Sequence, residues 1–197
     1  MNHDSVIDND GNSYGTIIIG DQIWMAENLR VTSYQNGDLI HAISDRHEWK
    51  STRSGAYSRG KGVSQSVLYN WYAVNDSRHI APVGWHVPSS IEWDEMVKTL
   101  GGFKTAGGKL KANGTNEWSA PNSGADNSSG FNAMPFGFRS IEENSHMWLG
   151  RFAFFWTGDS ATFGGAHHRS FSFNSVKVQK NRNNKNYGLA VRCVKDR

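Results

Sequence analysis

The 197-residue sequence is poor in the residues that cross-link a chain or carry it through a membrane. Cys193 is the only cysteine, so neither an intrachain disulfide nor a zinc site with paired cysteines can form. No stretch approaches the roughly 20 apolar residues of a membrane-spanning helix, and we expect no membrane span. The amino terminus is polar and has no secretory hydrophobic segment. We therefore expect a chain that is either not exported or has lost a leader.

Signatures of common enzymes and of repeat proteins are also missing. The sequence contains no Gly-x-Ser-x-Gly nucleophile elbow and no Gly-x-x-x-x-Gly-Lys phosphate loop. It has no period of 20–50 residues, which excludes a solenoid or a propeller. His167 and His168 are adjacent, and neighbours on a strand point to opposite faces, so we expect no metal site there. These absences favour a protein that is not an enzyme.

Aromatic residues are abundant and provide the material for a core. The chain has eight Trp, ten Phe and six Tyr, and each aromatic side chain buries about 150–250 Å². A chain of this length forms one well-buried domain. We predict a single domain over residues 1–197.

Basic residues are concentrated at the carboxyl end, although the net charge is only +3. Seven Lys or Arg lie between Val176 and Arg197, against one acid, Asp196. Such an end attracts nucleic acid, anionic glycans or acidic protein surfaces, or simply keeps the protein soluble. Phe171 and Phe173 alternate with polar residues as core residues of a strand do. Because the two rings are then not free to stack on bases, nucleic acid is not the expected partner.

The pattern predicts an α+β fold with two short helices and long loops. Two β-branched runs around Gly20 and Asp21 predict an amino-terminal hairpin over residues 14–26. A capping box of Ser89 and Glu92 begins a helix that ends at glycines 101 and 102. We also predict a helix over 66–74, a surface loop over 36–64, and pairing of the amino- and carboxy-terminal strands.

Asp8, Asp10 and Asn12 have the first spacings of a calcium loop. The sixth position is Ser13 rather than Gly, and the twelfth is Ile19 rather than Glu. We therefore interpret this stretch as a hairpin turn and expect no cofactor, with a structural calcium as the alternative. His86 is expected to be a core histidine with its hydrogen bonds satisfied.

Seven blocks in order resemble the Fibrobacter succinogenes major paralogous domain, a family of bacterial and phage-associated proteins. The blocks are residues 10–14 (DGNSY), 19–29 (IGDQIWMAENL), 68–74 (LYNWYAV), 81–89 (APVGWHVPS), 106–111 (AGGKLK), 129–133 (SGFNA) and 191–194 (VRCV). The resemblance covers about residues 8–196. It implies a C-type-lectin-like fold, in the branch shared with formylglycine-generating enzymes. Copper-dependent oxidation of that type needs two cysteines, which this chain lacks.

Residues 174–188 resemble the variable region of proteins diversified by retroelements, which mutate adenines and leave many Asn codons. Asn-rich loops also arise from turn preference. If Phe171 and Phe173 face the core, Ser170 and Ser172 face outward. We predict a ligand-binding surface that consists of Asp159, Ser160, Thr162, His167, His168, Ser170, Ser172, Lys177, Gln179, Asn181 and Arg182.

The leading functional hypothesis is a non-catalytic protein that displays this variable surface to a protein or glycan receptor on a cell surface. A virion surface or a bacterial cell surface is the expected location. A glycan-binding module of a bacterial cell surface, without diversification, is the alternative. A second alternative is an enzyme built around residues 36–64.

Overall fold

The protein is described by a computed structural model over residues 5–60, 66–143 and 145–197. The helices of this part are α1 Arg46–Ser51, α2 Trp71–Val74, α3 Ser90–Thr99 and α4 Ala106–Leu110. The strands are β1 Ser5–Ile7, β2 Ser13–Ile19, β3 Gln22–Met25, β4 His41–Ala42, β5 Ala56–Arg59, β6 Val67–Tyr69, β7 Trp85–His86, β8 Phe138–Arg139, β9 His146–Met147, β10 Phe152–Ser160, β11 Gly165–Ser172, β12 Gln179–Asn184 and β13 Val194–Lys195. The molecule is α+β, with several sheets and a few short helices.

The amino-terminal hairpin forms as its sequence predicts. Strands β2 and β3 pair antiparallel around a turn at Gly20, whose φ of 61° suits glycine. The hairpin belongs to a five-stranded sheet of order β1-β2-β3-β13-β7. Val194 of β13 lies opposite Trp24 of β3, so the two ends of the chain do pair. The last strand lies between β7 and the second strand of the hairpin, and does not pair with the first.

Helix α3 confirms the predicted capping box and lies between two sheets. The Ser89 hydroxyl accepts a hydrogen bond from the Glu92 backbone N–H, and the Glu92 carboxylate accepts one from the Ser89 N–H. Trp93 is fully buried and packs on one side against Trp24, with ring centroids 5.1 Å apart. On the other side it contacts Phe155 of β10 at 5.6 Å. The helix therefore joins the amino-terminal sheet to the sheet of β10, β11 and β12.

The middle of the chain differs from its predicted secondary structure. Residues 66–74, expected to be one helix, form strand β6 and the single turn α2, because Asn70 accepts a hydrogen bond from Ala73 N–H and begins a new helix there. Helices α1 and α4 were not predicted. Helix α1 lies within the predicted loop 36–64, of which residues 61–65 fall outside the described part. Helix α4 contains two glycines, so its propensity is low.

His86 is not the buried core residue that the sequence suggested. Its side chain is 40% exposed and lies between two carboxylates, 2.8 Å from Glu92 and 2.6 Å from Asp196. The hydrogen bond to Glu92, opposed by partial burial and assisted by Asp196, raises the pKa of His86 to about 8. Cys193 is fully buried as expected, and burial raises the pKa of its thiol. The longest helix in the described part, α3, has ten residues, and none there has the length and hydropathy of a membrane span.

Candidate functional site

The site is built on the three-stranded antiparallel sheet β10-β11-β12. Strand β11 is the middle strand, and seven of its eight residues are buried. On one of its faces Phe171 packs against Trp93 of α3. On the opposite face the His168 ring makes edge contacts with Phe154 and Trp156, at 5.6 and 6.1 Å between centroids. Both faces of β11 are therefore covered.

Because both faces of β11 are covered, three residues of the predicted binding surface are buried and not exposed. His168, Ser170 and Ser172 are only 2%, 1% and 5% exposed. The alternation along β11 is real, since Phe171 faces the core as predicted. The error was to take the face opposite Phe171 as solvent, whereas His168 lies there beside Phe154 and Trp156, which are part of a buried core cluster. Burial lowers the pKa of His168 to about 4, so this histidine is neutral at pH 7.

Strand β12 is the exposed edge of the same sheet. Five of its six residues are exposed, among them the predicted residues Gln179, Asn181 and Arg182. Direct cross-strand partners share a face of a sheet. Arg182 lies opposite His167 and Lys180 opposite Arg169, so these four side chains are on the face toward α3. Gln179 and Asn181 are on the other face.

A cleft of about 490 Å³ separates α3 from this edge of the sheet. It contains three of the predicted residues, His167, Asn181 and Arg182, and four others. The other lining residues are Ser90, Asp94, Arg169 and Lys180. Strand β12 thus forms one wall of the cleft, and helix α3 with β11 forms the opposite wall.

Asp94 is the centre of the polar contacts in the cleft. Its Oδ1 accepts a hydrogen bond from Arg169 Nη2 at 2.8 Å, and its Oδ2 accepts one from Lys180 Nζ at 2.5 Å. Arg169 is 2% exposed and also donates to the carbonyl of Ser90 at 3.0 Å. The Lys180 ammonium lies 4.1 Å from the ring centroid of Phe103. Partial burial of Asp94 is outweighed by these two cations, which lower the pKa of its carboxyl group.

The tip of the β10–β11 hairpin extends the exposed surface beyond the cleft. Thr162 is exposed, and its hydroxyl accepts a hydrogen bond from Arg182 Nη1 at 3.2 Å. The adjacent Phe163 is 95% exposed, with the Arg182 guanidinium 5.7 Å from its ring centroid. Ser160 is exposed, whereas Asp159 is half-buried and accepts a hydrogen bond from the backbone N–H of Ser90. Asp159 therefore stabilises the first turn of α3.

The segment that leads into β12 is held by a buried lysine. Lys111 has no exposed surface, and its ammonium group donates to the carbonyls of Ser123, Ser172 and Ser175, each at 3.0 Å. Burial lowers the pKa of Lys111 to about 8. The predicted contact residue Lys177 follows this anchor and is exposed. It does not line the cleft.

Three residues define where the exposed segment begins and ends. Val178 is 4% exposed and packs in the core. Asn186 is 4% exposed, and its side-chain amide donates to the carbonyls of Trp49 and Thr52 at 3.0 and 2.7 Å. A Cβ atom at Gly188 would lie 2.6 Å from the Cβ of Arg139. Residues 179–184, five of which are exposed, therefore lie between two buried ends.

Three residues of the cleft were not predicted from the sequence, and they share one property. They are Asp94, Arg169 and Lys180. Their contacts join positions 75 and 86 residues apart. Arg169 and Lys180 lie inside the predicted segment, but no local pattern marks Asp94. The only indication in the sequence is that Asp94 follows Trp93. Because Trp93 faces the core, Asp94 faces away from it.

The possible metal ligands of the amino-terminal turn are engaged by the chain itself. Asp8 accepts hydrogen bonds from the backbone N–H groups of Asp10 and Asn12 and from the Tyr14 hydroxyl. Asp10 accepts from both the backbone and the hydroxyl of Thr32. The stretch forms the turn between β1 and β2. Within the described ranges, no three His, Cys, Asp or Glu residues come together as metal ligands do.

Comparison with known proteins identifies the family. The model of the Fibrobacter succinogenes major domain matches residues 17–195. The chain belongs to this family. No curated protein and no solved structure matches it. The matched range covers nearly all of the described fold, including α3, the three-stranded sheet and the cleft.

Proposed function

We propose that this family member is a non-catalytic binding protein that presents strand β12 and its cleft to a macromolecular ligand. The scaffold would be a C-type-lectin-like domain, with the amino-terminal sheet and α3 as its frame. The observation that carries the proposal is the contrast between exposed residues 179–184 and the buried residues on both sides of them. Substitution at exposed edge positions changes contacts with a ligand at little cost in stability.

We further propose that residues 179–184 are diversified by a retroelement. Support comes from the structure of the Asn-rich segment, because its asparagines are not equivalent. Asn181 and Asn184 are exposed, whereas Asn186 makes two buried hydrogen bonds to the frame. Diversification would therefore change the codons of 179–184 and leave those of Val178, Asn186 and Gly188 unchanged.

The DNA beside the gene tests this part directly. We expect a reverse-transcriptase gene and a near-copy of the bases that encode the carboxyl end. Differences between the two copies should lie at adenines of the template and fall on codons 179–184. A genomic region without such a copy would contradict diversification. A copy whose differences fall on codons 178, 186 and 188 would contradict its restriction to residues 179–184.

Binding is tested with a variant in which Gln179, Asn181, Arg182 and Asn184 are all replaced by Ala. We expect its free energy of unfolding to fall by less than about 2 kcal/mol, since each surface change costs about 0.5 kcal/mol or less. Arrays of bacterial surface proteins and of glycans are then probed with the wild-type protein and this variant. A ligand bound by the wild type and lost by the folded variant supports the site; a ligand kept by the variant places the site elsewhere.

A glycan ligand is the second candidate, and one group of residues favours it. Trp148 is 48% exposed and packs against Phe152 at a tilt and against Phe138 edge-on, with centroids 4.9 and 5.3 Å away. Exposed aromatic rings of this kind stack on the apolar faces of sugars. Trp148→Ala should abolish glycan-array signals if this surface binds sugars. The cleft variant Arg182→Gln should leave them unchanged.

A further inference from the structure

The cleft between α3 and β12 has an excess of positive charge. Arg169, Lys180 and Arg182 line it, and Asp94 is the one acidic lining residue. Arg169 and Lys180 share that carboxylate, whereas the guanidinium of Arg182 donates to the Thr162 hydroxyl. The charged groups of the cleft therefore carry more positive charge than Asp94 neutralises.

We propose that this cleft binds a side-chain carboxylate of an acidic segment in a protein ligand. The inference rests on the proposed function and names the chemistry of the ligand. Asp94 shows how a carboxylate is bound there, since its two oxygens accept from an arginine and a lysine at 2.8 and 2.5 Å. Lys180 is half-exposed, so its ammonium can turn from Asp94 to a ligand carboxylate beside Arg182.

One wall of the cleft is fixed and the other belongs to the exposed strand. Arg169 is almost fully buried, and among the described residues its Nε has no hydrogen-bond partner. Most buried donors in proteins have a hydrogen-bond partner, so this unpaired group is unusual. Lys180 and Arg182 on β12 supply the mobile charges. Basic residues that only increase solubility are exposed to water. Arg169 is buried, so the cleft is more than a basic edge that keeps the protein soluble.

The surroundings of the cleft favour a protein ligand over a sulfated glycan. Phe163 is 95% exposed beside Arg182, and Ile91 is 71% exposed. Ile91 and Asp94 are three residues apart on α3 and so lie on the same side of the helix. Aromatic, aliphatic and Arg side chains around a charged pocket are typical of the central part of protein–protein interfaces. An aliphatic side chain such as Ile91 has no ring face to stack on a sugar.

The test uses the full chain and two charged probes. Hexaglutamate is titrated at low ionic strength by calorimetry, with hexaglutamine as the neutral control, and backbone NMR shifts map its position. We expect hexaglutamate to bind, the affinity to fall as salt is added, and the largest shifts at residues 167, 169 and 180–182. A sulfated hexasaccharide is titrated in parallel. If it binds in the cleft and hexaglutamate does not, the ligand is an anionic glycan and the proposal is overturned.

Matched variants separate the cleft from overall charge. Arg182→Gln should weaken hexaglutamate binding about fivefold or more, whereas Lys177→Gln, an exposed lysine of the same segment outside the cleft, should change it less than twofold. Asp94→Asn should strengthen binding on the order of threefold to tenfold by removing the internal competitor. Its control is Glu95→Gln on the same helix, whose carboxylate pairs with Arg197 outside the cleft.

Equal effects of Arg182→Gln and Lys177→Gln, or of Asp94→Asn and Glu95→Gln, would mean unspecific attraction and overturn the proposal. Asp94→Asn could fail to fold because Arg169 loses its partner. In that case the NMR shifts of the wild-type protein and the comparison of Arg182→Gln with Lys177→Gln still decide the question. Absence of hexaglutamate shifts in the cleft overturns the acidic-ligand inference alone. The proposed function fails separately, if the fourfold alanine variant unfolds or keeps its array ligand.

Discussion

Strands β11 and β12 pair along six residues, yet one belongs to the core and the other to the surface. In β11 seven of eight residues are buried, and in β12 five of six are exposed. Both strands are rich in polar and basic residues, so composition does not separate them. Position in the sheet does, because β11 has a strand on each side and a covered layer on each face, whereas β12 has a neighbour on one side.

The difference shows how this molecule combines a stable frame with a replaceable surface. Polar groups in β11 are fixed by buried contacts, as in the bonds of Arg169 to Asp94 and to Ser90. Polar residues in β12 are mostly exposed, and even those that make contacts, Lys180 and Arg182, remain accessible to solvent or a ligand. A basic edge strand also resists unwanted strand pairing. Solubility and binding therefore both favour Lys and Arg at these positions.

The strongest test replaces two residues that face each other across β11 and β12. Ser170→Glu buries a carboxylate without a partner, and we expect the free energy of unfolding to fall by about 4 kcal/mol or more. Gln179→Glu, its direct cross-strand partner, should change stability by less than about 0.5 kcal/mol. Urea denaturation measures both. Similar losses in the two variants would mean that β12 is as constrained as β11.

The anchor before β12 gives the next largest effect. Lys111→Met removes the ammonium that binds three carbonyls, and we expect a loss of about 3 kcal/mol because those buried carbonyls lose their donor. Lys109→Met is the control; Lys109 is an exposed lysine of helix α4, two residues before Lys111, and its replacement should cost about 0.5 kcal/mol or less. If the two variants unfold at the same urea concentration, Lys111 does not anchor this segment.

The end of the exposed segment is tested with two asparagines. Asn186→Ala removes two hydrogen bonds to backbone carbonyls and should cost about 2 kcal/mol. Asn181→Ala lies in the middle of β12 and should be nearly neutral. Thermal unfolding distinguishes them. A neutral Asn186→Ala would extend the replaceable surface to the end of the Asn-rich segment.

The smallest effect is a pH dependence that arises in β11. The pKa of His168 is about 4 in the folded protein and about 6.5 in an unfolded chain. The unfolded state binds more protons between these values, so this contribution is complete above about pH 6.5 and is lost as pH falls toward 4. His168→Leu should reduce the loss of stability between pH 7 and pH 5 by about 1–2 kcal/mol. An unchanged difference between the two pH values would show that His168 is accessible to solvent.

The sequence alone determined the elements that depend only on residues close together in the chain. The turn at Gly20 and the capping box of Ser89 and Glu92 form as predicted because each depends on neighbouring residues. The blocks that resemble the family were likewise sufficient to identify it. The helix expected over 66–74 was wrong, because Asn70 makes contacts with the strand β5 and begins its own short helix.

Tertiary structure decided which polar residues are surface. Alternation in β11 separates two faces correctly, but the period alone does not say how many of them are buried. The second face, where His168 lies beside Phe154 and Trp156, also belongs to the core. The cleft depends on Asp94, Arg169 and Lys180, whose contacts span 75 and 86 residues of chain. Only packing of α3 against the sheet brings them together, because no local pattern records a neighbour that is distant in sequence.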